Sequence, residues 1–210
     1  MSKKTTYAVF LMSILTGYAF ILASQPKKIK PFNSHTSSLD RSKKIVLVPL
    51  GKSISKSVID ESYAEIKNYL PNTILADRLM MPVSTYYKPR NRYRADSLIT
   101  WMSARAKTNE VIMGITSVDI STTKGKYQDW GVMGLAYRPG NAGVASSYRL
   151  KNKSAFWKIV IHELGHTAGL PHCPVKTCFM RDAEGGDHTG EEKEFCSKCK
   201  KVLVKNGWLL

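Results

Sequence analysis

Apolar and polar positions along this chain change period several times, and each change marks the edge of an element. Lys44-Ile45-Val46-Leu47-Val48-Pro49-Leu50 is an apolar run closed by Gly51, which predicts a short buried strand. From Ser53 to Leu70, Val58, Ile59, Tyr63, Ile66 and Leu70 recur at helical spacing, and Pro71-Asn72 stops that helix. Thr73 to Ala76 reads as a second strand, and Arg94 to Lys107 as a helix with Leu98, Ile99 and Met102 on one side. Glu110 to Ile120 predicts a buried strand from its β-branched content. Trp130 to Tyr137 and Val144 to Leu150 predict two more, separated by the turn Arg138-Pro139-Gly140-Asn141. Ser154 is placed to cap a helix running to about Ala168, and a last helix is expected over roughly Glu191 to Asn206. This order predicts one α/β domain over residues 44–210, with a twisted, mainly parallel sheet and one late strand as an antiparallel edge.

The residues before it follow another pattern. Lys3 and Lys4 precede an uncharged, mostly apolar run from Tyr7 to Ala23, and Ser24-Gln25-Pro26 returns to polar sequence. Residues 1–24 are therefore expected to be either a signal peptide or a retained N-terminal membrane anchor. Residues 25–43, rich in Ser, Pro, Lys and Asn, read as a flexible linker. The expected location is exported, periplasmic or secreted, or membrane-anchored through that apolar segment.

Composition and charge change this picture little. With 43% hydrophobic and 10% aromatic residues the chain is neither collagenous nor wholly disordered. The net charge of +16 favours anionic partners, but the basic residues are dispersed and read as a solubilising surface. Their densest cluster, Lys88 to Arg94, fits a solvated loop. An exported protein is not expected to meet nucleic acid, and a monomer is expected.

Chemistry concentrates near the end of the domain. His162-Glu163-Leu164-Gly165-His166 sets two histidines four residues apart on one helix face, so that both imidazoles can reach one zinc at about 2.0–2.1 Å. Glu163 stands beside the first of them, where it can act as general base toward a metal-activated water. Gly169 can take the left-handed geometry that ends the helix and turns the chain, and His172 follows as a third ligand. Three protein ligands leave a position open, as in catalytic zinc sites. Cys173, Cys178, Cys196 and Cys199 form two pairs with metal-ligand spacing. They suit a closed structural zinc, while an oxidising compartment keeps two disulfides open as the alternative.

The extended pattern H-E-x-x-H-x-x-G-x-x-H is the metzincin signature. With Cys173 directly after the third histidine, then Cys178-Phe179-Met180 and later Cys196 and Cys199, the chain closely resembles the archaemetzincins. Arg181 to Phe195 is shorter than the matching stretch of the family, a difference of loop shape and not of ligands. The resemblance implies a metzincin-like zincin domain. Its parts would be a twisted mixed sheet, a backing helix, an active-site helix and a C-terminal cysteine-rich zinc subsite. It further implies a zinc metallopeptidase with one catalytic and one structural zinc, peptide or protein substrates and aminopeptidase-like cleavage. Met180 would be the methionine beneath the catalytic zinc. No tyrosine lies beyond Tyr148, so Arg181, His188, Tyr137 or the metal itself is left to stabilise an oxyanion. Asp182, Glu184 and Asp187 read as solvated loop charges. The competing reading is a catalytically inactive two-zinc binding module tethered at a membrane or envelope.

Overall fold

Ile45 and Leu47 face one side of a sheet while Val48 faces the other, and both sides are buried. That is why this strand reads as a continuous apolar run, not as a strict alternation. A computed structural model describes residues 43–210; the expectations for residues 1–24, and nearly all of the linker, lie outside the described residues. Five strands form the main sheet: β1 (Lys44–Pro49), β2 (Thr73–Leu75), β5 (Glu110–Thr116), β8 (Gly134–Ala136) and β9 (Ala142–Ser146). Their order is β2-β1-β5-β9-β8, parallel throughout except that β8 runs antiparallel to β9 at the edge. The expected antiparallel edge strand is β8.

Helices cover both faces. α1 (Lys56–Tyr69) and α3 (Phe156–Thr167) pack together against Ile45, Leu47, Val111, Met113 and Ile115. α2 (Ala95–Ser103) lays Leu98, Ile99 and Met102 on the opposite face, against Val48, Ile112 and Val144. Ser55 caps α1 by accepting from the Val58 amide, so the helix starts at Lys56, three residues later than expected. Ser154 does not cap α3. A short 3-10 turn, Lys153–Ala155, precedes that helix, and Asn152 caps the turn by accepting from the Ser154 amide.

A second sheet departs from expectation. It has the order β3-β4-β6-β7, with β3 (Tyr86–Tyr87), β4 (Arg92–Arg94), β6 (Ile120–Lys124) and β7 (Tyr127–Val132). The run Glu110 to Ile120 is thus broken at Ser117–Asp119, and Trp130 to Tyr137 is divided between β7 and β8. Of the basic cluster Lys88 to Arg94, Lys88 to Asn91 is the exposed turn expected, but Arg92 to Arg94 is a half-buried strand. Arg92 pairs with Asp119 at 3.0 Å and with Asp129 at 3.2 Å, and Asp119 also takes Arg149 at 2.9 Å. These guanidinium–carboxylate pairs tie the small sheet to the end of β9.

The tail is held by aromatic packing. α4 (Ser197–Lys205) starts later than expected, because residues 181–196 form an irregular loop. Phe195 meets Phe179 at 5.2 Å and Trp208 at 5.6 Å, both edge-to-face, and Trp157 of α3 meets Phe179 at 5.4 Å. Such pairs contribute about 0.5–1.5 kcal/mol each beyond the area they bury.

Candidate active site

α3 carries His162 and His166 on one face. Gly169, at φ +96°, reverses the chain so that His172 returns to them. The three ring centroids lie 4.7, 4.8 and 5.3 Å apart, and one ligand nitrogen from each ring falls within 4.8 Å of the others. Each ring is oriented through its Nδ1. His162 Nδ1 is 2.6 Å from the Phe179 carbonyl and His166 Nδ1 is 2.7 Å from the Leu170 carbonyl. A carbonyl only accepts, so both Nδ1 atoms carry the proton and both Nε2 lone pairs are free. His172 Nδ1 stands 3.1 Å from the Asp182 carboxylate. Burial, reinforced by the neighbouring His166, drives His162 down to about 3, and burial lowers His166 as well. Those two imidazoles are neutral at pH 7. A convergent set of neutral Nε2 donors fits a divalent cation of the zinc type.

Glu163 is 5% exposed, and its Oε2 has no hydrogen-bond partner among the described residues. Burial pushes its carboxyl up to about 8. A buried acceptor left open beside three ligand nitrogens points to groups that arrive with metal and substrate. Glu163 sits there because β8 passes close over α3: a Cβ at Gly134 would stand 2.2 Å from Oε1 of Glu163. Beneath the helix, Met180 is fully buried, and a Cβ at Gly165 would stand 2.4 Å from its Sδ.

The cysteines gather a few residues beyond. The Sγ atoms of Cys173 and Cys196 are 3.7 Å apart, and those of Cys178 and Cys199 are 3.8 Å apart. A tetrahedron of thiolates at about 2.3 Å from a zinc has edges of about 3.8 Å, so this group could also hold one. All four are free thiols here, and Cys173 and His172 share one loop.

A cleft of about 810 Å³ opens over the histidines, walled by β8 on one side and residues 181–192 on the other. Arg181 and His188 line it. Tyr137 does not, because its hydroxyl is taken 3.0 Å away by Thr100, which removes it from the oxyanion candidates. Asp182 and Asp187 are not idle loop charges. Asp182 orients His172, while Asp187 accepts from the Lys151 amide and from both the amide and hydroxyl of Thr189. Only Glu184 stays an exposed charge without a partner among the described residues.

The model of peptidase family M54 matches residues 43–205. The chain belongs to that family, the archaemetzincins. It is 31% identical over 144 residues to the archaemetzincin of Nanoarchaeum equitans, covering 68% of this chain and 81% of that one. With the archaemetzincin of Haloquadratum walsbyi it shares 29% over 174 residues, 75% of this chain and 97% of the relative. The crystal structure of archaemetzincin from Methanopyrus kandleri superposes with a TM-score of 0.68 at 28% identity, covering 79% of this chain and 96% of that one. The M54 chain described here is accordingly a zinc metallopeptidase with an archaemetzincin-like mixed α/β fold. The inactive two-zinc module gives way to an enzyme that acts on peptides or proteins.

Two features escape a reading of the sequence motifs. The aromatic cluster around Phe179 supplies the carbonyl that orients His162, and Gly134 makes room for Glu163. A glycine inside a strand is the one hint that sequence offers for the second.

Proposed function

We propose that the cleft hydrolyses a peptide bond with Glu163 as general base, and that His162, His166 and His172 hold the catalytic zinc. The observation that carries this reading is the unpartnered Oε2 of Glu163, buried in the same cleft as three converging imidazoles. Zinc bound there supplies Lewis-acid polarisation and lowers the pKa of water. The protein's own part is to position and to move a proton. Glu163 takes one from the attacking water and delivers it to the leaving nitrogen, a transfer of a kind that contributes about 10²–10⁴-fold. The outer edge of β8 carries no further strand among the described residues and lines the cleft, so it suits an extended peptide added by main-chain hydrogen bonds. Arg181 and His188 line the opposite wall, and as both face Glu191, either would steady an oxyanion only by turning from it toward the cleft. Aminopeptidase-like action fits this layout where a positive charge of the substrate is held within the cleft.

The proposal extends to Cys173, Cys178, Cys196 and Cys199 as ligands of a second, structural zinc, supported by sulfur spacings near those of a tetrahedron. It also extends to location. The apolar run Tyr7 to Ala23 behind Lys3 and Lys4 supports an exported or membrane-anchored enzyme. Cell fractionation tests that part, and recovery in the cytosolic fraction alone would overturn it. For the activity, the purified full-length chain is incubated with a mixed peptide library and the products are read by mass spectrometry. Cleavage that stops on chelation and returns with added zinc is expected. A library left intact by the zinc-loaded protein would contradict the reading.

A further inference from the structure

Besides Glu163, one other acid of the cleft is largely buried, its carboxylate reaching only the cleft and meeting no partner among the described residues. Glu192 lines the cleft and is 7% exposed, yet no hydrogen bond or ion pair meets its carboxylate. The groups around it are committed elsewhere. Arg181 pairs with Glu191 at 2.8 Å, and His188 faces the same Glu191 at 3.6 Å. The Lys158 ammonium is held by two backbone carbonyls, those of Thr189 at 2.6 Å and Glu192 at 2.7 Å. Asp187 is satisfied by Lys151 and Thr189.

Lys158 fixes the position of this acid along α3. Ile159, the next residue, also lines the cleft and lies one helical turn before Glu163, a rise of about 5–6 Å. A carboxylate taken out of water without a partner is costly. Burial accordingly pushes the Glu192 carboxyl up to about 7. Lys158 and Arg181 lower it only in part, and neither makes a hydrogen bond or ion pair with the carboxylate among the described residues, so a cation from outside would add the charge-assisted contact that is lacking.

We infer that Glu192 is a subsite for a positively charged group of the peptide substrate, an ammonium or a guanidinium. This rests on the peptidase reading and sharpens it. The charge has two sources: the α-amine of the substrate, which makes the enzyme an aminopeptidase, or a lysine or arginine side chain beside the cleaved bond.

The test is calorimetric titration of full-length, zinc-loaded protein carrying Glu163→Gln. The probes are four short peptides that differ only in lysine against norleucine and in a free against an acetylated N-terminus. At least about tenfold tighter binding is expected for one kind of charge, the acetylated pair identifying the amine and the norleucine pair the side chain. Adding Glu192→Gln should remove that preference. Equal affinities for all four peptides, or a preference that survives Glu192→Gln, would overturn the inference. The first comparison leaves position 192 unchanged, so it decides the matter even where the second variant does not fold. Hydrolysis of the same peptides by the unaltered protein separates the two claims. Cleavage without charge preference sinks the subsite alone, and charge-selective binding without any cleavage sinks the peptidase reading alone.

Discussion

Gly134 and the carboxylate of Glu163 are in such close register that a Cβ on the glycine would stand 2.2 Å from Oε1. The strand that walls the cleft is therefore also the surface against which the proposed base is held. Gly134→Ala should displace the carboxylate and lower kcat/KM by about 10²-fold, the scale of a misplaced reacting group, while zinc content stays at the unaltered level. Activity within about twofold would show that the contact positions nothing.

Asp182 should matter through His172. Groups that orient metal-bound histidines contribute about 10–100-fold to metal affinity. Asp182→Asn is expected to weaken zinc retention by that factor against a competing chelator. Glu184→Gln, two residues along on the cleft loop's exposed side, should have no effect. Equal zinc retention in both variants would count against the orienting role.

Removing a thiolate should loosen the tail and leave the histidine site loaded. Cys178→Ser is predicted to lower the zinc content by one ion per chain and to lower Tm by several degrees, since structural zinc contributes directly to folding. The aromatic contacts of Phe195 should keep α4 associated at low temperature. Unchanged metal stoichiometry together with disulfides found by thiol titration would identify the cysteines as bridges.

Stability should fall with pH through Glu192. Its folded-state pKa is raised, to about 7, so between its unfolded value near 4.3 and about 7 the folded chain binds more protons than the unfolded one. Its ionisation therefore costs folding stability progressively as pH rises through that window, and the cost is absent below it. Glu192→Gln should have a higher Tm than the unaltered protein at pH 8, and the gap should close by pH 5. A gap that is constant with pH would remove Glu192 as its source.

The parts of this molecule written in local pattern were legible in sequence. The β1 run, the α1 period from Val58 to Leu70 and the His162–His172 spacing each need only a dozen or so neighbouring residues to be recognised. The second sheet was not, because β3 and β4 span only two and three residues and β4 joins the rest of the sheet through β6, which is distant in sequence. Arg92 reads as one charge in a basic loop until the fold brings Asp119 and Asp129 to it, and neither lies near it in sequence. Likewise Asp182 looks solvated until His172 turns back toward it. The proposed ligands and base could thus be named from spacing, whereas the groups that orient them depend on contacts made only in the folded chain.

The most direct test of the central claim is Glu163→Gln in the full-length protein, with zinc per chain and peptide hydrolysis measured on the same preparation. The account predicts unaltered zinc and hydrolysis reduced by at least about 10²-fold. Hydrolysis within tenfold of the unaltered protein, with zinc in place, would contradict it.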